Sequence, residues 1–70
     1  MILENVKEVE IRIFLGVTNK KNAVLQPSYG IRRFHNVKEL VIGSEWVVVK
    51  QENNIFMYNK KPIAEILIKK

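Results

Sequence analysis

The stretch Glu8-Val9-Glu10-Ile11-Arg12-Ile13-Phe14-Leu15 decides the fold class, because it alternates without interruption. Val9, Ile11, Ile13 and Leu15 fall on one side of an extended chain, and Glu8, Glu10, Arg12 and Phe14 fall on the other. A side-chain period of two belongs to a strand with one buried face. The composition around it agrees: Val and Ile supply eighteen of the seventy residues and Ala two. β-Branched side chains are stiff at χ1 and suit a pleated surface better than a helix.

On the C-terminal side, Gly16 is expected to close this strand and Thr18-Asn19-Lys20-Lys21-Asn22 to form a turn. A short second strand, Ala23 to Gln26, then ends at Pro27, and Ser28-Tyr29-Gly30 reads as a further reversal. Ile31 to Asn36 alternates too weakly to separate strand, loop and helical turn. Four strand-length segments follow, Val37 to Ile42, Glu45 to Gln51, Ile55 to Asn59 and Ile63 to Lys69, divided by Gly43-Ser44, Asn53-Asn54 and Lys60-Lys61-Pro62. Asn53-Asn54 suits a tight hairpin, since Asn tolerates the positive φ of primed turns, and Pro62 belongs at the head of the last strand because it cannot donate to a ladder. Val37, Leu40 and Val41 also fit helical spacing, which leaves one short helix as the alternative there. Val47-Val48-Val49 and Ile66-Leu67-Ile68 lack a polar face and are expected to be covered on both sides, by a curled sheet or by a second subunit.

With no internal repeat, linker or low-complexity tract, residues 1–70 read as a single mostly β domain. The expected architecture is an antiparallel meander, or a curled sheet or barrel, of about five to six strands. A chain this short buries only roughly 60% of its unfolded surface, and it has no cysteine for a disulfide, so a homo-oligomer is a natural expectation. The start, Met1-Ile2-Leu3-Glu4, has no basic region before a long apolar stretch, and no apolar run exceeds four residues. Neither a signal peptide nor a membrane span is expected, and an intracellular, cytoplasmic location follows.

The same inventory argues against an enzyme. There is no Cys and no Asp, and His35 is the only imidazole, with Ser28, Ser44, Thr18 or a Glu as its sole conceivable partners. Glu8 and Glu10 share a face with Arg12, as expected of a solvated surface with cross-strand ion pairs. Gly16, Gly30 and Gly43 are too far apart to make a phosphate-cradling loop. No cofactor and no metal is expected.

The basic residues carry more. Of the twelve, eight form the pairs Lys20-Lys21, Arg32-Arg33, Lys60-Lys61 and Lys69-Lys70, and the formal net charge is +5. Paired charges on turns create a field that attracts phosphates and weakens with salt. Ser28-Tyr29-Gly30-Ile31-Arg32-Arg33-Phe34-His35 interleaves rings with guanidinium groups, the two side-chain types that single-stranded nucleic acid uses for stacking and phosphate contact. Tyr58 beside Lys60 and Lys61 repeats the pattern, whereas Trp46 reads as a core anchor. The candidate contacts are therefore Tyr29, Arg32, Arg33, Phe34, Tyr58, Lys60 and Lys61. The partner is nucleic acid or an acidic protein surface.

Val9-Glu10-Ile11-Arg12-Ile13-Phe14-Leu15 resembles the first strand of the Sm-like RNA-binding proteins. Tyr58-Asn59-Lys60-Lys61-Pro62-Ile63-Ala64-Glu65-Ile66 resembles that family's bacterial Tyr-Lys-His-Ala-Ile-Ser segment with one residue inserted and Lys61 in place of the His. The resemblance covers under a quarter of the chain and implies a small curved barrel, assembled into rings, that binds single-stranded RNA. The C-terminal meander also resembles small β proteins of viruses and mobile elements. That likeness implies a different role, an inhibitor that binds a host or defence protein through a sheet edge or an apolar face.

Overall fold

The computed structural model describes residues 1–20 and 24–70, and side chains outside 17–26. The described residues form one antiparallel sheet of five strands: β1 (Ile2–Lys20), β2 (Val24–Ile42), β3 (Trp46–Lys50), β4 (Ile55–Asn59) and β5 (Ile63–Lys69). The spatial order is β4-β3-β2-β1-β5, a four-strand meander whose fifth strand returns to pair with the first. The expectation of a small β meander holds. The sheet curls without closing into a barrel, β4 and β5 being its two outer strands. No helix is present among the described residues, so the helical alternative at Val37 to Val41 gives way to the end of β2.

The two long strands depart from the expected short ones. β1 continues past Gly16 because Leu15 is an extra residue: Phe14 pairs with Tyr29 and Gly16 with Ser28, and Gly16 absorbs the bulge at φ 128°. β2 runs through Pro27, Tyr29 and Gly30 without reversing. Pro27 lies where β2 has a neighbouring strand on one side only, β3 covering its other side at Glu39–Ile42 alone, as befits a residue confined to sheet edges. Of the expected turn Thr18-Asn19-Lys20-Lys21-Asn22, the first three residues instead continue β1, while Lys21 and Asn22, with Ala23 at the start of the expected second strand, lie outside the described residues. Beyond Phe14 and Tyr29 neither β5 nor β3 is alongside, and β1 and β2 project as a two-stranded ribbon paired as far as Lys20 and Val24. That projection explains the elongated shape, 46 × 22 × 19 Å.

The core comprises Val6, Val9, Ile11, Phe34, Val37, Leu40, Val47 and Val49, all buried, with Leu3, Ile63 and Ile66 packed against it. In β1 and β2 the core-facing rungs are Leu3–Leu40, Val6–Val37 and Val9–Phe34, spaced by three residues where an undisturbed strand would space them by two. The pairing itself does not slip over this span; Glu4–Glu39, Val6–Val37 and Glu8–His35 keep one register. What changes is side-chain phase, and each strand has one residue at φ 53° within this span, Asn5 between Leu3 and Val6 and Asn36 between Phe34 and Val37. Asn is the residue other than Gly that most readily enters this left-handed region. The motif around each is the same, Asn5-Val6-Lys7-Glu8 and Asn36-Val37-Lys38-Glu39, so the chain does contain a short internal repeat. Its two antiparallel copies are centred on the Val6–Val37 rung.

The hairpins of the C-terminal half follow the expected punctuation. The β3–β4 reversal is closed by Gln51 N donating to Asn54 O at 2.8 Å, but the positive φ expected at Asn53-Asn54 occurs instead at Asn5 and Asn36. Gln51 Nε2 also donates to His35 O at 2.8 Å, satisfying a carbonyl of β2 where no strand lies beside it.

Candidate nucleic-acid interface

The candidate residues divide according to strand geometry. Arg32 and Arg33 are adjacent in β2 and so point to opposite faces. Arg33 lies on the outer face with Tyr29 and Ile31, and Arg32 lies on the face of Phe34 and Gly30, its rung partner being Ile11. Phe34 is 7% exposed and packs 5.0 Å from Phe56 and 6.1 Å from Tyr58, ring centre to ring centre. It is a core residue, and Tyr58 is half-buried against it.

Arg33 is engaged: its Nε donates to Glu10 Oε1 at 2.7 Å across the β1–β2 ladder. This hydrogen bond, and then the charge of the same carboxylate, raise the guanidinium pKa above its usual range. Arg12 pairs with Glu65 at 3.5 Å across β1 and β5, and Lys50 with Glu39 at 3.0 Å across β2 and β3. Arg32 is exposed and has no ion-pair partner among the described residues.

Tyr29 and the Lys60-Lys61 turn are brought together at the root of the ribbon. Tyr29 stands opposite Phe14, with ring centres 5.8 Å apart and planes at 65°, an edge-to-face pair in which both rings remain nearly half exposed. Phe14 N donates to Pro62 O at 2.7 Å, which fixes the β4–β5 turn against that pair. The turn is stiffened from within, Lys61 N donating to Asn59 Oδ1 at 3.0 Å and Ile63 N to Lys60 O at 3.0 Å. On its other side Lys60 N donates to Glu45 O at 2.8 Å and Lys60 Nζ to Gly43 O at 3.0 Å. Lys60 therefore anchors the turn, and Lys61 is presented to solvent. Arg12, Tyr29, Ala64 and Glu65 line a shallow groove.

Two features of the site escape a reading of the sequence. Phe14 is legible there only as the polar-face member of an alternating strand, and its role appears once Tyr29 is known to be its rung partner. Trp46 is not a core anchor: it is 48% exposed at the head of β3 and lines an open groove with Ser44, Asn59, Lys60 and Lys61. Among the described residues no group of three or more His, Cys or Glu side chains is placed to hold a metal ion, and no helix is long and apolar enough to cross a membrane.

In comparisons with protein families, curated proteins and solved structures, nothing matches this chain.

Proposed function

We propose that this protein is a non-enzymatic module that binds single-stranded nucleic acid at the root of the β1–β2 ribbon. The observation that carries this reading is the Phe14 N to Pro62 O hydrogen bond, which sets a lysine turn against two exposed, mutually packed rings. Tyr29 and Phe14 offer faces on which bases stack; base–aromatic stacking contributes about 1–3 kcal/mol per base and tolerates any sequence. Lys61 supplies a solvated ammonium for phosphate, and Arg32, without a carboxylate partner among the described residues, supplies a guanidinium on the other face of the same strand. The chain's +5 charge favours encounter with a polyanion. The test is binding of labelled single-stranded RNA, single-stranded DNA and duplex DNA by the wild type and by Tyr29→Ala and Lys61→Ala. The reading requires a single strand to be preferred and both substitutions to weaken it at least several-fold; equal, weak binding of all three by all proteins contradicts it.

A second reading has its own support. Leu67 and Ile68 are exposed on β5, whose outer edge is unpaired among the described residues, and such an edge accepts an added strand from another protein. On this reading the chain blocks a larger protein, as a small viral or mobile-element inhibitor does. Stoichiometric recovery of one protein that survives high salt, with no nucleic acid, favours it.

A further inference from the structure

The face of the sheet opposite the core carries an apolar row that crosses four strands. Ile2 is the rung partner of Val41, Val41 of Val48, and Val48 of Met57. Ile2 and Met57 are 62% and 60% exposed, and Val41 and Val48 are partly exposed. Of the two covers expected for Val47-Val48-Val49, a curled sheet or a second subunit, the chain's own sheet supplies one side: Val47 and Val49 are buried and Val48 is partly exposed between them. At the strand spacing of a sheet the row spans about 14 Å.

We infer that this face is an interface with a second copy of the same chain, related by a two-fold axis running along the boundary between β2 and β3. The row is self-complementary about that boundary. The axis sets Val41 against Val48 of the second copy and Ile2 against its Met57. The next row obeys the same rule in charge: Glu39 and Lys50 are rung partners across the boundary, 3.0 Å apart, so the axis sets each against its opposite in the second copy. Trp46 and Gly43, which share the Gly43 N to Trp46 O hydrogen bond at 2.9 Å, are the largest and smallest residues of the row beyond, and the axis sets the ring of one over the glycine of the other. Shape and charge thus repeat the pattern required of an isologous contact, in which residue i meets j and j meets i.

The test is solution mass by sedimentation equilibrium up to about 100 micromolar, a range that captures weak dimers. The wild type is expected to approach twice 8.2 kDa as concentration rises. Glu39→Lys and Lys50→Glu, both on the surface, are each expected to remain monomeric, since each sets like charges together. Mixed in equal amounts they are expected to form a heterodimer, because the two lysines that one variant carries at these positions then meet the two glutamates of the other. Met57→Glu is expected to abolish association of the wild-type background, and circular dichroism of every variant reports whether the sheet is intact. A wild type that stays at 8.2 kDa throughout, or a dimer indifferent to Met57→Glu and to the charge exchange, overturns the inference.

Discussion

Val6 and Val37 face each other across the β1–β2 ladder, each only 1% exposed, at the centre of two antiparallel copies of Asn-Val-Lys-Glu. On each strand the asparagine before the valine takes φ 53°, and the lysine after it lies level with the other strand's asparagine. The result is a ladder that re-aims its side chains twice without slipping register. Leu3, Val6 and Val9 all reach the core, although they could not share a face of a regular strand, and Asn5 lies in the first of the two intervals.

Asn5 and Asn36 should accordingly be replaceable by Gly but not by Val. Asn36→Gly is expected to change unfolding free energy by a few tenths of a kcal/mol, whereas Asn36→Val, which resists the left-handed region, should cost about 1–2 kcal/mol. Urea unfolding of both variants checks this, and the same ranking is expected at Asn5.

Gly16 makes a separate backbone prediction. A Cβ there would meet no atom within 4 Å, so any penalty arises from its φ of 128° alone. Gly16→Ala is expected to destabilise by about 1 kcal/mol through the bulge, with tryptophan fluorescence of the folded state unchanged. Denaturant melts followed at Trp46 read both quantities.

Phe34 separates packing from contact. Truncating a buried aromatic costs about 3–5 kcal/mol, and with eight buried hydrophobic side chains among the described residues Phe34→Ala is expected to unfold most of the population. Phe34→Leu should fold with reduced stability and retain full affinity for nucleic acid, as measured by a melt and a binding isotherm on the same sample.

Arg32 and Arg33 are expected to differ in binding. Arg32→Ala should weaken nucleic-acid affinity and lower the salt slope by about one, while Arg33→Ala should have the smaller effect because its Nε is held by Glu10. The pair also sets a pH expectation. A guanidinium whose folded pKa is raised contributes stability that is present at all lower pH and lost only above its usual range, so Arg33 adds no pH dependence between neutrality and mild alkali. Unfolding of the wild type and Arg33→Ala across that interval should therefore differ by a constant.

Much of the fold is readable from local pattern. Val9, Ile11 and Ile13 alternate with polar neighbours, and Asn59, Lys60 and Pro62 punctuate β4 and β5 at the observed boundaries. What local pattern hides is the length of β2. Pro27 and Tyr29-Gly30 look like breaks, and only pairing with a continuous β1 keeps them extended. The repeat at Asn5 and Asn36 escapes notice because its meaning is conformational and depends on the two copies being antiparallel neighbours. The candidate site suffers from the same gap. With Ile31 to Asn36 unassigned, nothing separates Arg32 from Arg33, and an extended strand separates them at once. Trp46 is misjudged because size suggests burial, whereas its place at the head of β3, level with Asn59, leaves it on the uncovered face.

The central claim is that the ribbon root binds a single-stranded polyanion, and the most direct measurement is affinity for single-stranded RNA across a salt series, comparing wild type with Lys61→Ala and Arg32→Ala. The account predicts a steep fall in affinity with salt and a slope shallower by about one for each substitution, roughly what one phosphate contact contributes. Affinity that is absent at low salt, or a slope unchanged by both substitutions in folded protein, would contradict it.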